Sequence, residues 1–104
     1  MDSVEEAFAM PRCVGVVGLG LIGGSFAKAY ADAGVTVFGA DADERSLAAA
    51  MAEGCVAGVL DESTVAECDL VVVALYPQDT IDWVRSMAPY IGGGALVVDC
   101  GGVK

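Results

Sequence analysis

Residues 16–30 read VVGLGLIGGSFAKAY, and this stretch decides the fold. Four glycines lie within eight positions, where a short apolar run ends and a helical pattern begins. Glycine costs about 0.5–1 kcal/mol relative to alanine inside regular structure, so stability alone does not explain four of them here. The stretch therefore indicates that something bulky comes close to this backbone.

Three of these glycines, Gly18, Gly20 and Gly23, form the pattern G-x-G-x-x-G. Between a strand and a helix, the first permits a tight turn, the second lets a pyrophosphate approach the backbone, and the third allows close packing of helix on strand. The phosphates then lie against free N–H groups at the positive end of the helix. Because a glycine-rich turn can also serve helix packing alone, the motif needs support from its surroundings.

The elements around the motif supply that support. A β-branched run at Cys13–Val17 predicts the first strand. A helix is predicted over 21–33, ending before Gly34. Its predicted apolar face comprises Ile22, Phe26, Tyr30 and Ala33.

The rest of the chain alternates strands and helices in the same way. Further strands are predicted at 35–40, 56–60, 70–75 and 95–98, and a single helical turn at 63–67. A second helix is predicted to begin after Asp43 as N-cap and to end at Gly54, and a third to span 80–88. The predicted inward residues are Leu47, Ala50 and Met51 on the second helix and Ile81, Val84 and Met87 on the third.

This alternation predicts an α/β fold of the Rossmann type, a doubly wound parallel sheet with strand order 3-2-1-4-5. Crossovers then leave strands 1 and 4 on opposite sides, so a crevice opens beyond their carboxyl ends, where ligands bind. We predict that residues 13–104 form this dinucleotide-binding domain and that residues 1–12 are a flexible leader.

An acidic residue at the end of the second strand indicates which dinucleotide binds. Asp41 lies 18 residues beyond Gly23, where a carboxylate can accept hydrogen bonds from both hydroxyls of the adenosine ribose. A 2′-phosphate would meet Asp41, Asp43 and Glu44 with only Arg45 to compensate, and one like-charge pair at about 4 Å costs on the order of 4 kcal/mol at an effective dielectric near 20. We therefore predict that the chain binds NAD rather than NADP. The alternative interpretation is that Asp41 is a solvated loop residue with no role in binding.

The predicted cofactor site joins the glycine loop to the ends of strands 4 and 5. Two members have a second reading, since Tyr76 can pack on the cofactor or on another domain, and Thr80 can cap the third helix. Trp83 falls off the predicted inward face and is read as an interface residue or a half-buried surface residue. The candidate cofactor-binding residues are Gly18, Leu19, Gly20, Leu21, Ile22, Gly23, Asp41, Leu75, Tyr76, Pro77, Thr80, Cys100 and Gly101.

Composition excludes several classes of protein. The 104 residues are 56% hydrophobic and 19% charged, which predicts one globular domain whose strands are covered on both faces. A net charge of −10 makes nucleic acid and anionic membranes poor partners. The longest uncharged stretch, 13–27, is too short to span a membrane, and the acidic start lacks the basic region of a signal peptide, so we expect a cytoplasmic location.

The four cysteines give no sign of a metal site. Cys13, Cys55, Cys68 and Cys100 contain no C-x-x-C pair, and the chain has no histidine. We predict that they are reduced, buried thiols in the core.

Three segments together resemble the amino-terminal half of prephenate dehydrogenases: VGVVGLGLIGGSFA at 14–27, DLVVVALYPQDT at 69–80 and GALVVDCGGVK at 94–104. The resemblance implies NAD-dependent oxidative decarboxylation of prephenate to 4-hydroxyphenylpyruvate in tyrosine biosynthesis. It also implies that the substrate pocket and the homodimer contacts belong to a helical second domain, before which this chain is expected to be truncated.

The chain departs from the family at two points. The family's base is a histidine downstream of the Val-Lys ending, and a family serine that contacts the reacting hydroxyl falls at Gly102 here. We therefore expect no catalytic residue in this chain, which would bind NAD without turning over prephenate. The alternatives are an arogenate or other β-hydroxyacid-type dehydrogenase, or a non-catalytic dinucleotide-sensing module.

Overall fold

The computed structural model describes residues 11–100, which form a parallel five-stranded sheet with helices on both faces. Its strand order is β3-β2-β1-β4-β5, which confirms the predicted topology. The first ten residues of the predicted leader, and Gly101, Gly102 and Lys104, lie outside the described residues. The strands are β1 (Cys13–Val17), β2 (Thr36–Ala40), β3 (Gly58–Val59), β4 (Leu70–Val73) and β5 (Leu96–Asp99).

Three helices connect these strands. Helix α1 packs with α2 on one face of the sheet, whereas α3 packs on the other face together with the turn at Val65–Glu67. Asp43 caps α2 as predicted, since its side chain accepts a hydrogen bond from the backbone N–H of Arg45 at 3.0 Å. The helices are α1 (Leu21–Asp32), α2 (Glu44–Ala52) and α3 (Pro77–Met87), with short 3₁₀ turns at Val65–Glu67 and Ala88–Tyr90.

Strand β1 lies at the centre of the sheet, and all five of its residues are buried. Val14 pairs with Val37 of β2 on one side and with Leu70 of β4 on the other. Parallel strands buried on both faces read as continuous apolar runs, which is why β1 and β4 are the strands most easily recognised in the sequence. The carboxyl ends of β1, β2 and β4 therefore meet at one edge of the sheet.

The predicted inward faces of the first two helices are partly wrong. Helix α1 buries its small residues Gly23 and Ala27, while Ala33 is exposed just beyond the helix. Small residues let the helix axis approach the sheet, so larger neighbours such as Phe26 pack beside the contact rather than in it. On α2, Met51 is exposed although Leu47 and Ala50 pack as predicted.

Helix α3 begins three residues earlier than predicted. Pro77 occupies its first turn, where the missing N–H of proline costs nothing and its fixed φ suits a helix. With this start Thr80 is buried and Trp83 packs on the core, whereas Ile81 is 46% exposed. The prediction of Ile81 as an inward residue is therefore wrong. Trp83 is half-buried, as one of its two readings expected, although it packs on the core.

Strand β5 is covered less than composition suggested. All four of its residues are exposed, including Leu96 at 63%. The expectation that the strands are covered on both faces thus fails for this edge strand within the described residues. Among those residues, no helix combines the length and the apolar character needed to cross a membrane.

Two of the four thiols form a buried pair. The sulfur atoms of Cys13 and Cys68 lie 3.5 Å apart, and burial raises the pKa of Cys68 to about 12 and that of Cys13 above its usual range. Both thiols are therefore protonated core groups at neutral pH, as predicted, whereas Cys55 and Cys100 are half-buried. No cluster of three or more metal-ligating side chains occurs among residues 11–100.

Candidate functional site

The turn after β1 requires glycine at its first position. Gly18 has φ +89°, and its N–H donates to the carbonyl oxygen of Ala40 at 2.8 Å. A Cβ atom there would lie 2.5 Å from the carbonyl oxygen of Ala74. Both the dihedral angle of Gly18 and the closeness of Ala74, the residue after β4, therefore exclude a side chain.

The third motif glycine sets the distance between α1 and this turn. A Cβ atom on Gly23 would overlap the backbone carbonyl of Gly18 and would also contact the Ala74 side chain. The helix therefore begins directly against the turn, with its amino-terminal end at the carboxyl edge of the sheet.

Gly20 differs from these two because no neighbour among residues 11–100 requires glycine at this position. Its φ is −73°, and a Cβ atom there would meet no heavy atom within 4 Å. Gly20 is also the N-cap of α1, and no side chain forms a capping hydrogen bond at this described helix end. The space in front of its backbone is thus open beside the amide groups of the first helical turn, which suits a phosphate group.

Asp41 lies between the glycine loop and the amino-terminal end of α2. Its carboxylate accepts hydrogen bonds from the backbone N–H of Leu19 at 2.6 Å and of Asp43 at 2.8 Å. The residue is half-buried, so a fully solvated loop acid is not what the structure contains.

A cleft of about 530 Å³ extends from Asp41 to helix α3. Trp83 and Leu75 give it apolar surface, and three carboxylates line it, those of Asp41, Asp79 and Asp82. None of its lining residues is cationic, and Gln78 orients Asp82 through a hydrogen bond of 3.0 Å. We name it the α3 cleft; its lining is Val17, Gly18, Ala40, Asp41, Ala42, Leu75, Asp79, Asp82, Trp83, Ser86 and Met87.

The structure brings Gly18, Asp41 and Leu75 together in this cleft, whereas other candidates are placed differently. Tyr76 is 66% exposed as the N-cap of α3, so Thr80 is not the cap. Thr80 is buried one turn into the helix, and its hydroxyl donates to the carbonyl oxygen of Leu75 at 3.4 Å. Cys100 follows β5 and packs against the core on the α1 side.

Sequence reasoning missed five cleft residues on α3: Asp79, Asp82, Trp83, Ser86 and Met87. Their spacing of three, one, three and one is that of one helical face. Pro77 as the first helical residue was the signal that would have placed them together.

Comparisons with known proteins agree with this geometry. An arogenate dehydrogenase from Synechocystis superimposes with a TM-score of 0.77 at 25% identity, covering 84% of this chain and 32% of that one. A prephenate dehydrogenase from A. aeolicus, solved with hydroxyphenyl propionate and NAD+, has a TM-score of 0.74 at 25% identity and covers 88% and 33%. The chain thus spans about a third of the length of each.

A third structure, (S)-3-hydroxybutyryl-CoA dehydrogenase from Ralstonia eutropha, shares the fold with a TM-score of 0.70 at 16% identity, covering 86% of this chain and 41% of that one. No curated protein matches the sequence. A family model, the NAD-binding domain of 6-phosphogluconate dehydrogenase, matches residues 13–104. The predicted cofactor is thereby confirmed: the chain belongs to this family of NAD-binding domains of dehydrogenases.

Proposed function

We propose that the chain is the cofactor-binding half of a dehydrogenase that oxidatively decarboxylates prephenate or its amino counterpart arogenate. The observation that carries the cofactor part is the open space at Gly20, which no atom of the described residues fills. The resemblance of residues 14–27, 69–80 and 94–104 to prephenate dehydrogenases supports the substrate class, as do the two similar structures. NAD in this role accepts a hydride from the substrate ring.

We assign the two halves of the cofactor to different parts of the site. The pyrophosphate binds the backbone amides from Gly20 to Gly23, because this helix end is uncapped and free of acidic residues in its first turn. The adenosine ribose binds Asp41, and the adenine ring enters the α3 cleft against Trp83. The nicotinamide lies toward the ends of β4 and β5, near Tyr76, Cys100 and Gly101.

The chain's one tryptophan makes this proposal directly testable. Because Trp83 lines the cleft, NADH is expected to change its fluorescence on binding. The Gly20→Ala variant should weaken NADH binding by at least about tenfold, since its methyl group takes the space of a phosphate, while the melting temperature stays within about 2 °C.

Gly94→Ala is the matched control for this experiment. A Cβ atom on Gly94 also meets nothing within 4 Å, but Gly94 precedes β5 at the opposite edge of the sheet. This variant should bind NADH as the parent chain does. Equal affinities of the Gly20→Ala variant and the parent chain would show that no phosphate lies at Gly20.

A second expected result concerns turnover. The chain has no histidine to serve as the base, and we place the substrate pocket and the homodimer contacts in a separate helical domain, as the resemblance implies. The 104-residue chain mixed with NAD and either prephenate or arogenate should bind the cofactor without producing NADH. NADH formation by this chain would overturn the assignment of the base to another domain.

A further inference from the structure

We propose that Asp41 is a positioning residue that holds the glycine loop in its phosphate-binding shape before any cofactor arrives. This role is distinct from accepting the ribose hydroxyls, and only its consequence for NAD affinity rests on the proposed function. It is carried by the contact between the Asp41 carboxylate and the backbone N–H of Leu19.

The contact lies directly beyond the last backbone hydrogen bond between the ends of β1 and β2. Val17 pairs with Ala40, and the next N–H, that of Gly18, donates to the Ala40 carbonyl oxygen at 2.8 Å. The following N–H belongs to Leu19, and its acceptor is the side-chain oxygen of Asp41 at 2.6 Å. A charged side chain thus binds the backbone of the glycine loop just beyond the paired strands.

The second carboxylate oxygen ties the same residue to α2. It accepts from the N–H of Asp43 at 2.8 Å, and Asp43 in turn caps α2 through Arg45. The Leu19 side chain is buried against Gly39. The loop is therefore held by the packing of this side chain and by the hydrogen bond from its backbone to Asp41. Asp41 therefore connects the phosphate-binding loop to an adjacent rigid helix.

This arrangement leaves room for the cofactor. Each carboxylate oxygen has two lone pairs, so Asp41 can accept ribose hydroxyls while it keeps its bonds to Leu19 and Asp43. Since the Leu19 N–H is already engaged, the amides available to a pyrophosphate begin at Gly20. Replacement of Asp41 should therefore weaken the binding of the pyrophosphate as well as that of the ribose.

The test uses Asp41→Ala in the absence of cofactor. Alanine has no side-chain acceptor, so the N–H groups of Leu19 and Asp43 both lose their partner. We expect hydrogen exchange of the Leu19 amide, followed by NMR, to accelerate at least about tenfold while that of Val16 is unchanged. Unchanged Leu19 exchange would overturn the proposal.

Asp43→Ala is the matched control, because Asp43 lies in the same loop but accepts from Arg45 rather than from the glycine loop. It should leave Leu19 exchange unaltered. Should Asp41→Ala fail to fold, the parent chain still decides the matter: a Leu19 amide that exchanges as fast as an unprotected one contradicts the contact.

A binding arm separates the two roles of Asp41. The probe is an NADH analogue whose adenosine ribose lacks both the 2′ and 3′ hydroxyls. If Asp41 acted only on the ribose, the Ala variant and the parent chain would bind this analogue equally; we expect the variant to bind it about tenfold more weakly. Failure of the parent chain to bind NADH would refute the proposed function, while the exchange measurement would still decide the positioning role.

Discussion

Replacing Gly23 with alanine is expected to destabilise the domain by at least about 3 kcal/mol and to lower its melting temperature by roughly 12–24 °C. The added methyl group would overlap the backbone carbonyl of Gly18, a residue whose N–H is bonded to the Ala40 carbonyl oxygen, and it would also contact the Ala74 side chain. Neither partner is a flexible side chain, so α1 must move away from β1 and lose its contact with the sheet. Thermal unfolding followed by circular dichroism measures the change.

The neighbouring glycine provides the control. A Cβ atom on Gly24 would lie 3.4 Å from the carbonyl oxygen of Leu19, an ordinary contact. Alanine is favoured over glycine in a helix by about 1 kcal/mol, so Gly24→Ala should leave the melting temperature unchanged or raise it. If both variants lost the same stability, the loss would come from the helix in general and not from the approach of α1 to the turn.

The second large effect is discrimination between the two nicotinamide dinucleotides. NADPH should bind at least about 100-fold more weakly than NADH at low salt, since one like-charge pair near 4 Å costs on the order of 4 kcal/mol. Asp41, Asp79 and Asp82 all line the α3 cleft, and the nearby Arg45 is 94% exposed and paired with Asp43. Parallel titrations of Trp83 fluorescence give the ratio of the two dissociation constants.

Charge removal identifies the source of this ratio. Asp41→Ser should narrow the gap between NADPH and NADH at least about tenfold, whereas Glu67→Gln, an exposed acid at the opposite edge of the sheet, should not change it. Raising the salt concentration should narrow the gap in the parent chain as well, because screening shortens the range of the repulsion. An unchanged ratio in Asp41→Ser would mean that shape, not charge, selects the cofactor.

The sequence predicted the strand order and the glycine loop because their signals are local. β1 and β4 are unbroken apolar runs, and the glycine spacing that joins β1 to α1 has a specific geometric meaning. The N-cap Asp43 was equally visible because capping depends on residues two or three apart.

Features that depend on tertiary contacts were not predictable in the same way. Ile81 and Met51 have the right spacing for inward residues, yet the sheet meets other sides of their helices. Pro77 suits both a turn and a first helical position. Because it was interpreted as a turn residue, the predicted start of α3 lies three residues too late. The hydrogen bond between Leu19 and Asp41 joins residues 22 positions apart, and no local sequence pattern predicts it.

The central position of β1 has a consequence for how this domain folds. Val14 of β1 pairs with Leu70 of β4, 56 residues later in the chain, and this pairing must form before Ala74 lies beside Gly18. Pairings of such long sequence separation form slowly, since the entropy of loop closure is lost before any contact compensates for it. We therefore expect the nucleotide site to form late in folding. NAD at 100 times its dissociation constant would raise the free energy of unfolding of the domain by about 2.7 kcal/mol.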